Sequence, residues 1–395
     1  MANFIDYLDW RGDLSFQEAP FNEVDALLLS YLSYVNFDEV LPGVDRKGAA
    51  SGISLSKARE QFFTIHRLDD FKKDRSFIRL APYLLDCMGA TRRFGSILLS
   101  NYVNHIDIRE EVQFSAVRMD LGNARLRETP QESFDNLIYI SFRGTDDTII
   151  GWKEDFNISY LTVPAEQESI DYVNTILKDN TDPVIMGGHS KGAHLAIYAA
   201  ARSNENIRHS VRLAYNFDGP GFHRDFLESA EMREISGRVR RFVPEDSVIG
   251  MLLDHNIPPV IVQSNGKGIL QHDPFTWQLM GTAFVTCGKL GKLGTLMDKT
   301  FTEWIAQVEP SQRKVFIDDL FSVLEASGAQ TLTELYSGNA KSYLAMVKRL
   351  DKLDDRTGQI LKLLMESMFD HLTEQMKPTK RTARRLSAES LPASK

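Results

Sequence analysis

The stretch Pro183-Val184-Ile185-Met186-Gly187-Gly188-His189-Ser190-Lys191-Gly192-Ala193-His194-Leu195-Ala196-Ile197-Tyr198-Ala199-Ala200 decides the fold. It reads as a short apolar strand, a Gly-x-Ser-x-Gly turn and an Ala-rich helix. Val184-Ile185-Met186 does not alternate with polar residues, as expected of a parallel strand buried on both faces. A turn this tight leaves no room for a side chain two residues either side of Ser190, and Gly188 and Gly192 meet that demand. Such an elbow lifts the Ser190 hydroxyl to the carboxyl edge of a sheet, where the next helix aims its amide end and dipole. The bare motif recurs by chance. The strand before it and the helix after it separate a nucleophile elbow from a plain turn that holds a serine.

Working outward, short apolar runs bounded by turn residues alternate with helical stretches from about residue 95. Runs 113–119, 137–142, 183–186, 211–217, 239–243 and 259–263 read as strands. This is the pattern of an α/β fold, a mostly parallel sheet flanked by helices. Before it, Val24, Leu27, Leu28, Tyr31 and Leu32 recur at helical spacing behind Asn22, a natural N-cap. Residues 56–68 and 83–89 read as further helices. Strand signals stop after about 285. Phe316, Leu320, Val323 and Leu324 then form one helical stripe, and Leu361, Leu364, Met365, Met368, Phe369 and Leu372 another, both read as core-facing. The expected organisation is an N-terminal helical segment (1–94), a catalytic core (95–285), a C-terminal helical extension (286–376) and a disordered basic tail (377–395).

The chain has 395 residues and a net charge of -8. That balance argues against a nucleic-acid partner, which calls for a basic surface. Two cysteines, Cys87 and Cys287, cannot build a disulfide framework and lie in no metal-ligand spacing. The N-terminus shows no basic region followed by an apolar one, and no apolar run approaches the roughly 18 residues of a membrane span. A cytoplasmic location fits these features.

A serine nucleophile needs a base, an acid that orients it, and donors for the oxyanion. In a fold built this way the order is Ser, then Asp or Glu, then His. The acid normally follows the second strand after the elbow. Asp246 in Pro244-Glu245-Asp246-Ser247 sits there, with Asp218 at the end of the first such strand as the alternative and Glu245 behind it. The base should follow the last strand, where His272 is the only histidine of Gly266–Pro274. His255 is the alternative, though its segment reads as a helix end where a histidine satisfies carbonyls. His189 and His194 read as packing neighbours of the elbow. Leu137-Ile138-Tyr139-Ile140-Ser141-Phe142-Arg143-Gly144-Thr145 is a strand running into a turn. Thr145 there and the N–H of Lys191 are the candidate oxyanion donors, with a plain turn as the other role for Thr145. No cofactor is called for, and no cluster of metal-ligating residues is visible.

Phe142-Arg143-Gly144-Thr145 with Trp152 and Asp155, then Gly188-His189-Ser190-Lys191-Gly192-Ala193, then Phe217-Asp218-Gly219-Pro220-Gly221, resembles the class 3, fungal-type lipases. The longer pattern is more similar to a bacterial branch of lipase-like proteins known only as a domain of unknown function. Its marks are Tyr7-Leu8-Asp9-Trp10-Arg11-Gly12-Asp13, Phe21-Asn22-Glu23-Val24-Asp25 and Gln271-His272-Asp273-Pro274-Phe275. The resemblance implies an α/β-hydrolase fold, Thr145 as the oxyanion threonine, Trp152 and Asp155 as supports of its loop, and Asp246 as the acid. Those lipases usually carry a small apolar residue or Leu after the serine, where this chain has Lys191. The function expected is hydrolysis of carboxylic esters through an acyl-serine intermediate, with acyl lipids as the substrate class on the resemblance alone. The alternatives are a thioesterase or acyltransferase with the same triad, or a scaffold that binds an acyl ligand or a protein.

Overall fold

The computed structural model describes residues 2–43, 52–67, 71, 80–107, 112–145, 149, 153, 164–307, 310–331, 334–335, 340–350 and 362. A nine-stranded mixed sheet flanked by helices runs through them. Its strands are β1 (Ile53–Ser54), β2 (Leu98–Asp107), β3 (Val112–Asp120), β4 (Ile138–Phe142), β5 (Val184–His189), β6 (Val211–Phe217), β7 (Val239–Pro244), β8 (Val260–Val262) and β9 (Thr286–Cys287). They lie side by side in chain order. From β4 to β8 neighbours pair parallel. The pairings β1 with β2, β2 with β3, β3 with β4 and β8 with β9 are antiparallel.

Parallel strands joined in spatial order by right-handed crossovers send every connecting helix to the same face. Two helices lie there, labelled α5 (Pro164–Ile176) and α6 (Lys191–Arg202) in chain order. Tyr172, Val173, Leu195, Ala196 and Ala199 of these helices pack with Ile138, Ile140, Phe142, Val184 and Met186. The intervening positions Leu137, Tyr139 and Ile185 face the opposite way, as period-two geometry requires.

That opposite face is covered by the N-terminal segment, which holds α1 (Phe4–Arg11), α2 (Glu23–Leu32), α3 (Leu55–Ile65) and α4 (Ala81–Gly89). Asn22 begins α2 as expected. Its Oδ1 accepts from Val24 N at 3.0 Å, and Asp25 Oδ2 accepts in return from Asn22 N at 3.0 Å. This reciprocal cap satisfies donors that a helix start leaves orphaned. Val24 to Leu32 are all buried, so α2 is a core helix rather than an amphipathic one. Its backbone is tied to the sheet. Tyr139 Oη donates to Ala26 O at 2.9 Å and Ser141 Oγ to Leu29 O at 3.0 Å. The close approach needs Gly187, where a Cβ would collide with Tyr139 Oη.

One buried ion pair anchors this layer. Arg93 and Asp25 have no exposed side-chain surface. Arg93 Nε meets Asp25 Oδ1 at 2.8 Å, and a second guanidinium nitrogen meets Oδ2 at 2.5 Å. The guanidinium also donates to Leu14 O and Ala19 O at 3.0 Å each and lies 4.3 Å from the Phe16 ring centroid. Tyr7 Oη donates to Asp25 Oδ1 at 2.8 Å, and burial holds that phenol protonated well above its ordinary range. A buried charge pair is tolerated when its remaining donors and lone pairs are filled, as they are here.

Two differences from the sequence reading stand out. The ten-residue strand β2 was not expected, and its polar Ser100, Asn101, Asn104 and His105 and a register shift between Ser100 and Val103 explain why. The sheet also extends past 285 through β9, a two-residue edge too short to leave a pattern. Beyond it lie α7 (Lys292–Gln307), α8 (Pro310–Glu325) and α9 (Ala340–Leu350). Leu320, Val323 and Leu324 of the expected stripe are buried with Val243, Ile249 and Met297. The second stripe, from Leu361 to Leu372, and residues 377–395 fall outside the described residues. No helix among the described residues is long and apolar enough to cross a membrane.

Removing one partner of the buried pair strands the other charge. Asp25→Ala should cost about 3–5 kcal/mol in urea unfolding, whereas breaking the exposed Arg127–Glu23 pair with Arg127→Ala should cost about 1 kcal/mol or less. The double change Asp25→Ala with Arg93→Met should recover much of the loss. Similar small losses for Asp25→Ala and Arg127→Ala would disprove the anchoring role.

Candidate active site

The elbow forms where the sequence places it. Ser190 closes β5 and opens α6 with φ 59° and ψ −134°. A non-glycine residue held at positive φ costs on the order of 1–3 kcal/mol and persists only where its surroundings over-determine it. They do so here. Ser190 N donates to Phe217 O at 3.0 Å, and Ser190 O accepts from Ala193 N at 2.9 Å. A Cβ on Gly188 would collide with the Gly192 backbone, and one on Gly192 with the Phe142 carbonyl. Ser190 itself is 3% exposed.

The turn after β4 lies against this elbow. A Cβ on Gly144 would sit 2.6 Å from His189 O and 3.1 Å from Ser190 Cβ. Thr145, next in the chain, is buried, as is Lys191 on the other side of Ser190. The turn carrying Thr145 thus abuts Ser190, and Lys191 follows Ser190 in the chain. Trp152 and Asp155, expected to support the loop, lie outside the described residues.

His272 ends a single 3-10 turn, Gly268–His272, and is buried. Its Nδ1 lies 2.6 Å from Asp218 Oδ2. A carboxylate only accepts, so Nδ1 carries a proton, which leaves Nε2 as the ring nitrogen not committed to Asp218. Asp218 directly follows β6, the strand beside the elbow strand, at φ 51°. Its N–H donates to Phe242 O at 2.8 Å, and its Oδ1 accepts from Ser247 Oγ at 2.5 Å. Buried Arg241 adds a positive charge near Asp218, and burial pushes its guanidinium down to about 10.

The carboxylate bonded to His272 is therefore Asp218, the alternative acid, and not the expected Asp246. Asp246 serves as a helix cap. Its Oδ1 accepts from Leu293 N at 3.0 Å and Gly294 N at 3.3 Å at the start of α7, and its N–H donates to Gln271 Oε1 at 2.9 Å. Both carboxylates follow strands at the same sheet edge, and strand counting cannot say which loop meets the histidine. Glu245 lies 3.8 Å from the Cys287 thiol. His255 sits behind the Gly221 turn, held neutral chiefly by burial.

The elbow's other histidines are not passive packing. His194 bridges Gly221 O and Glu166 Oε1, each at 2.8 Å, and so ties α6 to α5. His189 Nε2 lies 2.8 Å from His272 O, and the two rings are 4.4 Å apart. Ser247 and Tyr34 carried no sequence signal. Ser247 is one of many loop serines, and Tyr34 reads as another core aromatic. Among the described residues no group of three His, Cys, Asp or Glu side chains is placed to hold a metal ion.

Comparison with known proteins adds one finding. No curated protein matches the chain. A family model described as Mbeg1-like matches residues 88–322, more than half of the chain. That span holds strands β2 to β9, the elbow, Asp218 and His272, and this chain therefore belongs to the Mbeg1-like family, whose members are lipase-like.

Proposed function

We propose that the chain is a serine hydrolase with the α/β-hydrolase arrangement, cleaving carboxylic esters with Ser190, His272 and Asp218 as its triad. One observation carries the proposal: the 2.6 Å Asp218–His272 pair at the same sheet edge as a glycine-flanked serine held at φ 59°. A structural histidine needs no buried carboxylate to fix its tautomer, and a structural serine needs no strained backbone. The substrate class, acyl esters of lipid type, rests on the lipase-like family.

In the proposed reaction, His272 Nε2 removes the proton from Ser190 Oγ as that oxygen attacks the ester carbonyl carbon. The carbonyl oxygen becomes an oxyanion, stabilised by donors at Lys191 and Thr145 and by the α6 dipole. Asp218 steadies the imidazolium without taking its proton. The intermediate collapses, the C–O bond to the alcohol breaks, and His272 returns the proton to the departing alkoxide. Water then attacks the acyl-serine with His272 again as base. The C–O bond to Ser190 breaks, its oxygen regains a proton, and the carboxylic acid leaves.

Ser190→Ala should abolish labelling by a fluorophosphonate probe and hydrolysis of p-nitrophenyl esters, with an unchanged circular dichroism spectrum. Persistent labelling of that variant would move the nucleophile elsewhere. Acyl-CoA tested beside the ester panel separates esters from thioesters.

The acid assignment has its own test. Asp218→Asn should lower kcat on the order of 10⁴-fold, because an amide orients the wrong tautomer. Asp246→Asn should change kcat less than about tenfold and cost about 1 kcal/mol of stability through the weakened cap. The reverse ranking in kcat would restore Asp246 as the acid.

Thr145→Val keeps shape and N–H but deletes a hydroxyl. If that hydroxyl serves the oxyanion, kcat should fall about 10²–10³-fold with KM nearly unchanged. A normal kcat per titrated site in a less stable protein would make Thr145 a turn residue only.

A further inference from the structure

His189 precedes the nucleophile, contacts no reacting atom in the mechanism above, and is fully buried. Its Nε2 is 2.8 Å from His272 O. A carbonyl oxygen only accepts, so Nε2 must carry a proton. Burial, reinforced by His272, holds the ring well below the ordinary histidine range and so neutral. A neutral imidazole has one N–H, which leaves Nδ1 as an acceptor. Tyr34 Oη lies 3.0 Å from that Nδ1, where it donates. These constraints give one direction to the whole chain, from the Tyr34 hydroxyl to His189 Nδ1 and from His189 Nε2–H to the His272 carbonyl.

We propose that His189, oriented by Tyr34, is a positioning residue for His272, fixing the base's backbone through its carbonyl oxygen. The proposal rests on the hydrolase reading above for its consequence in catalysis, but not for its geometry. The His272 ring is held from one side by Asp218. A ring bond alone leaves the loop free to pivot about it. The His189 bond supplies the second point, and the Trp277 Nε1 bond to Gln271 O at 2.8 Å fixes the preceding peptide. Tyr34 follows α2, outside the family-matched span 88–322. The N-terminal layer thereby reaches the base through one hydroxyl. The ring's neutrality has a second effect. A charged His189 with its centroid 4.4 Å from that of His272 would oppose the imidazolium that His272 must become.

The test uses the full chain with three changes. His189→Leu fills the space without a donor, His189→Gln restores an N–H donor near the Nε2 position, and Tyr34→Phe removes the orienting hydroxyl. Two quantities are read. One is the rate of Ser190 labelling by a fluorophosphonate, with kcat and KM on an ester. The other is the far-downfield proton NMR line of His272 Nδ1–H, which needs no activity. His189→Leu should slow labelling and lower kcat on the order of 10²-fold at unchanged KM, the cost of about 1 Å of misplacement, and should broaden or abolish the line. His189→Gln should recover kcat to within about tenfold of wild type and keep the line, and Tyr34→Phe should act like His189→Leu but more weakly. A folded His189→Leu protein with unchanged labelling and an unchanged line overturns the proposal. If His189→Leu does not fold, Tyr34→Phe decides by the same readouts. Absence of labelling in the wild-type chain would defeat the hydrolase reading instead. The NMR line would then still decide whether His189 orients His272.

Discussion

Five parallel strands laid down in spatial order leave one face of a sheet without its own helices. Everything peculiar to this molecule follows from the need to cover that face. The connecting helices α5 and α6 occupy the other side. An exposed face lined by Tyr139, Ile185, Tyr215 and Phe217 would be a large apolar patch, so the N-terminal segment closes it, with Trp277 and Phe284 packed on Phe217. Helix α2 must then be buried all round, since it lies between the sheet and the outer helices. A helix so placed cannot be positioned by hydrophobic contact alone, which has no direction. Direction comes from polar ties, namely Tyr139 to Ala26, Ser141 to Leu29, and the Arg93–Asp25 pair behind them.

The same closing layer bears on the site. Strain at Ser190 is stored only because the elbow is packed from all sides. Phe217 holds its amide, the Gly144 turn abuts its Cβ, and Tyr34 stands beside His189. A looser N-terminal layer would let the elbow relax toward an ordinary helix start, with the serine hydroxyl no longer raised from the sheet edge. Stability of the outer layer and geometry at Ser190 are therefore linked through α2 rather than independent.

How much of this was legible in the sequence depended on whether a local rule applied. The central strands β4 and β5 were visible because burial on both faces makes them continuous apolar runs, and β6 and β7 because short apolar-rich runs lie between turn residues. The elbow was visible because two glycines and a strand–helix change coincide. The Asn22 cap was visible because its chemistry is local. Chain order singled out His272 as the candidate base. Its carboxylate partner was not legible, since Asp218 and Asp246 both follow strands at one edge, and the pairing depends on how the 3-10 turn at 268–272 folds back toward β6. Strand β2 hid behind its polar residues, and the part played by Tyr34 hid in 155 residues of sequence separation from His189.

Asp246 gains a different meaning once it is seen as a cap. Its side chain receives the first amides of α7, while its backbone N–H and its Oδ2 both meet the Gln271 side chain. Gln271 immediately precedes His272, and its carbonyl is held by Trp277. The loop carrying the histidine is thus fastened to the C-terminal helices on one side and, through His189 and Tyr34, to the N-terminal layer on the other. Short loops at a sheet edge are ordinarily the mobile part of such a fold. Here the two flanking additions restrain the loop from opposite ends. The parallel sheet supplies the position of Ser190 and Asp218, and the segments before and after the sheet supply the position of His272.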